Sequence, residues 1–508
     1  MNKIMDYEQA EERLEKIVAQ GQIKQEEDLG KTTYGLPIHH YTIGNGTKEI
    51  IVTGATHGCE IISADFVMNL MEKLSQGKDI DGINLDDYKI HFIPILNPEG
   101  YLISTSAIRQ IIPRDMPSEE AEKMCKEYYM RYRSDDAEAI KRNRENAELR
   151  KGLANAGEEG NGEEISRIQQ RIQETLPDRD PEHLKKFQEM FKGVDYTCIP
   201  EKYSGIRERV REILEQYPDI PKGILQIWSA NANGIDPQAN CEYNDVITKI
   251  LSGELDQNDQ VFKNNLRYSN INSIHPGPIN CGFDPERGFK IEPEISAIAG
   301  LLQELSEKGT LHSYFNYHGT GGVLYQRPLC APDELGITSN QMWTRTLDNF
   351  AFSQFYSRRT YKNANDREHS RYRILTGSGS VSSSNDLFRV KYPRDILVEL
   401  SGMGGNPIGP YGDLKGNYKN LMDSNLEAFR FAVEYSDVSE KISQASYKMI
   451  EDRIKDGETD EQIVNKIYGI MTTASNMLTS WLEKFGTKSR WQVMEEGIKR
   501  VNREEEER

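Results

Sequence analysis

An apolar run from Glu49 to Thr53 (EIIVT) predicts a buried strand, and after a glycine-containing turn the period changes. From Ile61 to Leu74, the positions Ile62, Phe66, Val67, Leu70, Met71 and Leu74 recur at three- and four-residue steps, which predicts a helix with one apolar stripe. Upstream, residues 6–20 carry a similar period and Ile38–Ile43 alternates like an edge strand before the turn at Gly44-Asn45-Gly46. Tyr88–Ile95 predicts the next strand, running into the turn-forming segment Leu96-Asn97-Pro98-Glu99-Gly100-Tyr101. Strand character returns at Gly223–Trp228, Leu311–Tyr317, Gly322–Tyr325 and Asp395–Leu400. Helical patterns lie between them, notably Glu292–Lys308 and Asn340–Ser357. Strands alternating with helices predict an α/β fold with a mixed, mostly parallel central sheet flanked by helices.

Between these stretches the pattern breaks. From about Pro117 to Phe191 the chain is rich in charged helix formers, interrupted at Gly157–Gly162, and residues 204–215 again look helical. Residues 106–220 are therefore read as a helical insertion. The chain from Ser439 onward is polar and helical, ending in a frayed acidic tail. The expected division is a discontinuous unit of residues 1–105 and 221–435, the insertion at 106–220, and a helical extension at 436–508.

Composition narrows the function. With 81 acidic against 63 basic residues the net charge is -18, opposite to the basic face that phosphate contacts require, so no nucleic-acid partner is expected. The first eighteen residues carry charges throughout and contain no apolar core of a signal, and no apolar run is long enough for a membrane span. The six cysteines lack Cys-x-x-Cys spacing and read as free thiols in a reducing compartment, so the cytoplasm is the expected location.

His57 and Glu60 fall at a strand-to-helix junction, where α/β proteins place their sites. Imidazole and carboxylate are zinc ligands, and a catalytic site needs one further protein ligand and an open position. The strand ending at His318, before a glycine-rich turn, is placed to supply that ligand. The apolar strand Ile396–Leu400 carries one carboxylate, Glu399, which is costly to bury unless it is paired or functional. Beside a metal it would serve as a general base. Cys59, between two candidate ligands, is read as a small side chain turned inward.

The order His57, Glu60, His318, Glu399 resembles the zinc carboxypeptidase family. The matching pieces are Gly54-x-x-His57-x-x-Glu60, Asn97–Tyr101, Asn233-Gly234-Ile235-Asp236, Glu292-Pro293-Glu294, the strand ending in His318 and the strand carrying Val398-Glu399-Leu400. The resemblance implies one zinc ion held by His57, Glu60 and His318, with Glu399 as the base toward the water at the zinc. It implies that Asp236 orients a ligand imidazole, with Trp228, Asn231 and Asn240 favouring Asp236 over Asp195 for that part. It places Tyr372, Gln238 and Asn240 among the substrate-binding positions, and likens Thr376–Ser384 with Asn385-Asp386 to the loop that lines the substrate pocket. The activity it implies is hydrolysis of a peptide or peptide-like amide bond, on a peptide or small peptide-like substrate, with homo-oligomers formed through the insertion or tail left open.

The chain departs from the family where an Asn-Arg pair clamps the substrate carboxylate. Here Gln238-Ala239 stands, and Ala239 cannot replace a bidentate guanidinium. Aligned on Trp228, Ser229 occupies the place of the arginine that steadies the oxyanion, a loss of roughly 3–4 kcal/mol unless another group compensates. Either an arginine from the insertion (Arg109, Arg114, Arg142, Arg144) or from Arg367, Arg371 and Arg373 compensates, or the substrate lacks an ordinary terminal carboxylate. The alternatives are a small-molecule deacylase of the aspartoacylase-like branch and a non-catalytic binding protein retaining the fold.

Overall fold

The central sheet of the computed structural model has eight strands, and its four inner ones run parallel. The described residues are 4–76, 83–132, 191–216, 223–241, 288–319, 321–325, 339–357, 383–400, 408–412 and 417–434, with short pieces between them. Most of the expected insertion and nearly all of the expected C-terminal extension lie outside them.

In chain order the sheet strands are β1 (Lys24–Gln25), β2 (Tyr41–Ile43), β3 (Lys48–Thr53), β4 (Tyr88–Ile93), β5 (Leu311–Gly319), β6 (Val323–Tyr325), β7 (Arg373–Leu375) and β8 (Asp395–Leu400). Their order across the sheet is β1-β2-β4-β3-β5-β8-β6-β7. The parallel block β4-β3-β5-β8 is flanked by antiparallel pairings, β2 on β4 and β6 on β8. All nine positions of β5 are buried, as expected for an inner parallel strand covered on both faces.

The helices are α1 (Tyr7–Ala19), α2 (Ile61–Ser75), α3 (Pro98–Arg109), α4 (Ser118–Tyr132), α5 (Ser204–Gln216), α6 (Pro293–Glu307), α7 (Ser339–Ser357), α8 (Ser384–Lys391) and α9 (Asn417–Glu434). Helix α2 is buried well beyond the predicted stripe: Ser63, Asp65 and Met68 are covered too. Its acidic residue is accommodated because Arg13 of α1 pairs with Asp65 and the Tyr418 hydroxyl donates to it over 2.6 Å. An unpaired carboxylate at that depth would cost several kcal/mol.

Two expectations are corrected. Gly223–Trp228 forms a 3-10 turn over Ile224–Ile227 instead of a strand, its apolar residues buried without sheet pairing. Short apolar runs fit either state, and here the contact with α3 decides. The Asn97–Tyr101 segment starts α3: Asn97 Oδ1 accepts from Gly100 N at 2.9 Å, and Pro98 takes the first turn, where a missing N–H costs nothing.

Both described ends of the expected insertion share the main hydrophobic core. Ala121, Cys125 and Tyr128 of α4 and Ile206, Val210 and Ile213 of α5 belong to the cluster built on β3, β4 and α2. Among the described residues Cys59, Cys125, Cys198 and Cys241 are free thiols. No helix among them is long and apolar enough to cross a membrane.

Candidate metal centre

The parallel block brings its carboxyl ends to one edge, and the candidate residues meet there. His318 is the penultimate residue of β5 and lies directly opposite Glu399 of β8 in the parallel register. His57 and Glu60 sit in the loop leaving the neighbouring strand β3. That loop starts at Ala55, whose φ of 47° is the left-handed region that a side chain enters only at a cost. Such strain persists where surrounding contacts hold it; here Ala55 N donates to Ser63 Oγ (2.8 Å) and Asn97 N donates to Ala55 O (3.1 Å).

His57, Glu60 and His318 are all buried, with ligand atoms within 4.8 Å of one another. His57 Nδ1 lies 2.9 Å from Glu60 Oε1 and His318 Nδ1 lies 2.8 Å from Glu60 Oε2. The rings cross at 72° with centroids 4.9 Å apart, so both Nδ1 atoms face the same carboxylate. Two imidazole nitrogens and a carboxylate oxygen form a donor set that fits zinc and leaves a coordination position open. Further, Glu399 is buried and its Oε2 has no hydrogen-bond partner among the described residues, an expensive arrangement unless a charge or substrate is met there.

The electrostatics follow from burial around two carboxylates. Desolvation works against charge on His57, but Glu60 and Asp236 outweigh it and hold its pKa well above the usual value. Desolvation dominates at His318 and lowers its pKa despite Glu60. Burial pushes Glu60 up, yet the two imidazoles overcome it and hold the carboxyl below its ordinary range. At Glu399 burial and the nearby Glu60 charge both act upward.

The structure brings Asp236 to His57. Its Oδ1 is 3.1 Å from His57 Nε2 and also accepts Gln238 N at 2.8 Å. The loop holding it is braced by Asn231, whose Oδ1 accepts the backbone N–H groups of Asn233 and Ile235 and whose Nδ2 donates to Glu292 at 2.7 Å. The competing Asp195 is exposed and caps a short 3-10 turn by accepting Thr197 N at 2.8 Å.

The expected substrate-binding residues fare differently. Asn240 is fully buried, with Oδ1 accepting Glu292 N (2.7 Å) and Nδ2 donating to Lys290 O (2.9 Å), so its amide braces the chain instead of facing a substrate. Tyr372 is a core residue, 1% exposed, whose hydroxyl accepts from Asn425 of α9. It is therefore placed differently from the mobile tyrosine expected at the site. Gln238 is half-buried and its carbonyl accepts Ser384 N at 2.7 Å, which docks the start of α8 onto the Asp236 loop.

Among the arginines expected as replacements, Arg109 and Arg114 serve α1: Arg109 Nε donates to Asp6 at 3.1 Å, and Arg114 donates to Asp6 and Glu8. Arg142, Arg144, Arg367, Arg371 and the side chain of Arg373 lie outside the described residues.

Three supporting groups escaped the sequence reading. Asn316, two residues before His318, accepts the hydroxyls of Thr53 (3.0 Å) and Thr56 (3.1 Å) and donates to Asn385 at 2.6 Å. Gly58 sits so close to α3 that a Cβ there would come 2.0 Å from the carbonyl carbon of Gly100. Gly321, in the turn after His318, would put a Cβ 3.1 Å from the Glu399 Cβ. A lone polar residue inside a strand, or a glycine after one, carries no sequence signal of its partner.

Residues 11–151 match the model of the zinc carboxypeptidase family. No curated protein matches the sequence. Among solved structures, a metallo-carboxypeptidase from Burkholderia cenocepacia is 12% identical, with 84% of this chain and 69% of that one covered and a TM-score of 0.35. Carboxypeptidase A from Helicoverpa armigera is 10% identical, with 86% and 73% covered and a TM-score of 0.41. Bovine thrombin-activatable fibrinolysis inhibitor, solved with a tick carboxypeptidase inhibitor, is 12% identical, with 85% and 98% covered and a TM-score of 0.40. Residues 11–151, which carry His57, Glu60 and the Asn97–Tyr101 segment, are thus similar to the zinc carboxypeptidase family.

Proposed function

We propose that this chain is a zinc-dependent hydrolase of a peptide or peptide-like amide bond, working in the cytoplasm, with one zinc held by His57, Glu60 and His318. The observation that carries the reading is the meeting of those three residues at one sheet edge with Glu399 opposite His318. Zinc bound there would supply a Lewis acid that polarises the scissile carbonyl and brings the pKa of water toward neutrality.

The remaining work falls to the chain. Glu399, with Oε2 unpartnered among the described residues, accepts a proton from the attacking water and returns it to the leaving nitrogen. Water oxygen bonds to the carbonyl carbon, the C–N bond breaks, and the products are a carboxylic acid and an amine. Asp236 holds the His57 proton on Nε2, which leaves the Nδ1 lone pair directed to the side where Glu60 lies. The buried setting of Glu60 and Glu399 strengthens these charge interactions relative to water.

Ala239 in place of a guanidinium sets the substrate class apart: the terminal carboxylate of an ordinary peptide lacks its bidentate partner at that position. The catalytic unit is proposed to comprise residues 1–105 and 221–435. The test is zinc content of the full chain beside His318→Ala and Glu399→Gln, followed by a screen of peptides and of amides without a free terminal carboxylate. One zinc per wild-type chain, lost in His318→Ala and kept without turnover in Glu399→Gln, is the expected result. A folded wild type that takes up no zinc, or undiminished turnover in Glu399→Gln, would overturn it.

A further inference from the structure

Asn97 is not itself one of the proposed zinc ligands, yet its side chain joins the two loops on which the proposed centre depends. The residue is fully buried at the first turn of α3. Its Oδ1 accepts Gly100 N at 2.9 Å, and its Nδ2 faces Thr56 O at 3.3 Å and Ser229 O at 3.5 Å. Thr56 precedes His57, and Ser229 opens the segment that reaches Asp236. One amide thus spans the ligand loop, the helix and the loop carrying the carboxylate partner of His57.

The backbone packing has the same organisation. A Cβ on Gly58 would come 2.0 Å from Gly100 C, and one on Gly100 would come 2.4 Å from Ala230 O, so the three segments are stacked main chain on main chain. Next to Asn97, Glu99 accepts Tyr34 N (2.8 Å) and Ala232 N (3.1 Å), tying the Asp236 loop to the same turn a second time. The 3.1 Å contact between His57 and Asp236 therefore forms across a gap whose width the first turn of α3 sets.

We infer that Asn97 is a positioning residue for the metal centre: through Thr56 O and Ser229 O its amide sets the approach of Asp236 to His57, and with it the retention of zinc. This inference rests on the zinc reading above. Partners that orient a ligand imidazole are commonly worth ten- to a hundred-fold in metal affinity. A group that sets their separation acts through the same contact.

Two variants separate positioning from folding. Asn97→Asp keeps the acceptor for Gly100 N and removes both amide donations, and Asn97→Ser keeps a helix-capping hydroxyl too short to bridge the loops. Each full-length, zinc-loaded protein is mixed with a chromogenic chelator and the rate of zinc release followed, with circular dichroism reporting the fold and the cobalt-substituted visible spectrum reporting ligand geometry. The expected result is release at least about ten-fold faster than wild type in folded Asn97→Ser, with a shifted cobalt spectrum in both variants. Release at the wild-type rate with an unchanged spectrum in a folded variant would overturn the role of Asn97 and leave the zinc reading intact. A wild type that binds no zinc would overturn both.

Discussion

His57 Nε2 lies 3.1 Å from Asp236 Oδ1, a contact across 179 positions of sequence that ties a strand-end loop to a separate loop. His318, the other imidazole, has no hydrogen-bond partner at Nε2 among the described residues. Both Nδ1 atoms face Glu60, and beyond that shared contact the two imidazoles are held by different means: His57 by the second carboxylate of Asp236, His318 by its place in a fully buried strand.

That difference predicts unequal sensitivity. Asp236→Asn should weaken zinc binding by about ten- to a hundred-fold, because a neutral amide, able to present N–H as well as oxygen, holds the proton on Nε2 less firmly than a carboxylate. Competition with a chelator of known affinity measures it; an unchanged zinc affinity would show that the contact does not orient His57.

Gly321 faces the side chain of Glu399, and the turn containing it returns two backbone donors to β8, Gly321 N to Leu400 O (3.2 Å) and Gly322 N to Glu399 O (2.9 Å). Gly321→Ala should press on Glu399 while sparing the ligands. The neighbour must give by only a few tenths of an ångström, less than the roughly 1 Å misplacement that costs about a hundred-fold, so under the proposed role of Glu399 kcat should fall by roughly two- to ten-fold with zinc content retained. Loss of zinc along with turnover would place the effect at His318 instead.

His39 sits between Glu11 Oε2 (2.8 Å) and Asp28 Oδ1 (2.7 Å), joining α1 to the segment after β1. Burial opposes charge on the ring, but the two carboxylates prevail and raise its pKa to about 9 from an ordinary 6.5. The folded state binds the extra proton, so this stabilisation is complete below about 6.5 and is lost as pH rises through 9. The loss of Tm in His39→Gln should accordingly be larger at pH 6 than at pH 10; an equal loss at both would remove the ion pairs as its cause.

Glu294, in the first turn of α6, is fully buried, and burial, assisted by Glu99, pushes its pKa up to about 8. The folded chain then holds a proton that the unfolded chain releases above about 4.5, so wild-type stability declines between these values. Against wild type, Glu294→Gln should gain stability steadily from pH 5 to 8 in denaturant melts. A pH-independent difference would mean that the carboxyl is not neutral in the folded protein.

Hydrophobic period alone located β3, α2, β4, β5 and β8, since inner strands and a buried helix write continuous or periodic apolar runs. The same runs named the candidate centre. His57, Glu60, His318 and Glu399 are polar residues at the carboxyl ends of such strands, and parallel strands put those ends at one edge. Asp236 was singled out through the family resemblance of its surrounding motif, not through the period. The period failed at Gly223–Trp228, where a short apolar run is buried as a 3-10 turn against α3, and at Asn97, where turn-forming residues proved to be a helix cap.

Residue types, their order and the strand ends were thus determined along the chain, because each is written in local pattern. Which groups meet was decided only in three dimensions. Asn240 and Tyr372 are equally suited to binding a substrate or bracing a core, and their partners Glu292 and Asn425 lie far along the chain. Gly58 and Gly321 matter for what presses on them, and Asn97 for the two carbonyls its amide spans. A buried donor must find an acceptor and a close backbone approach excludes a side chain, and both constraints act between segments that local pattern leaves unconnected.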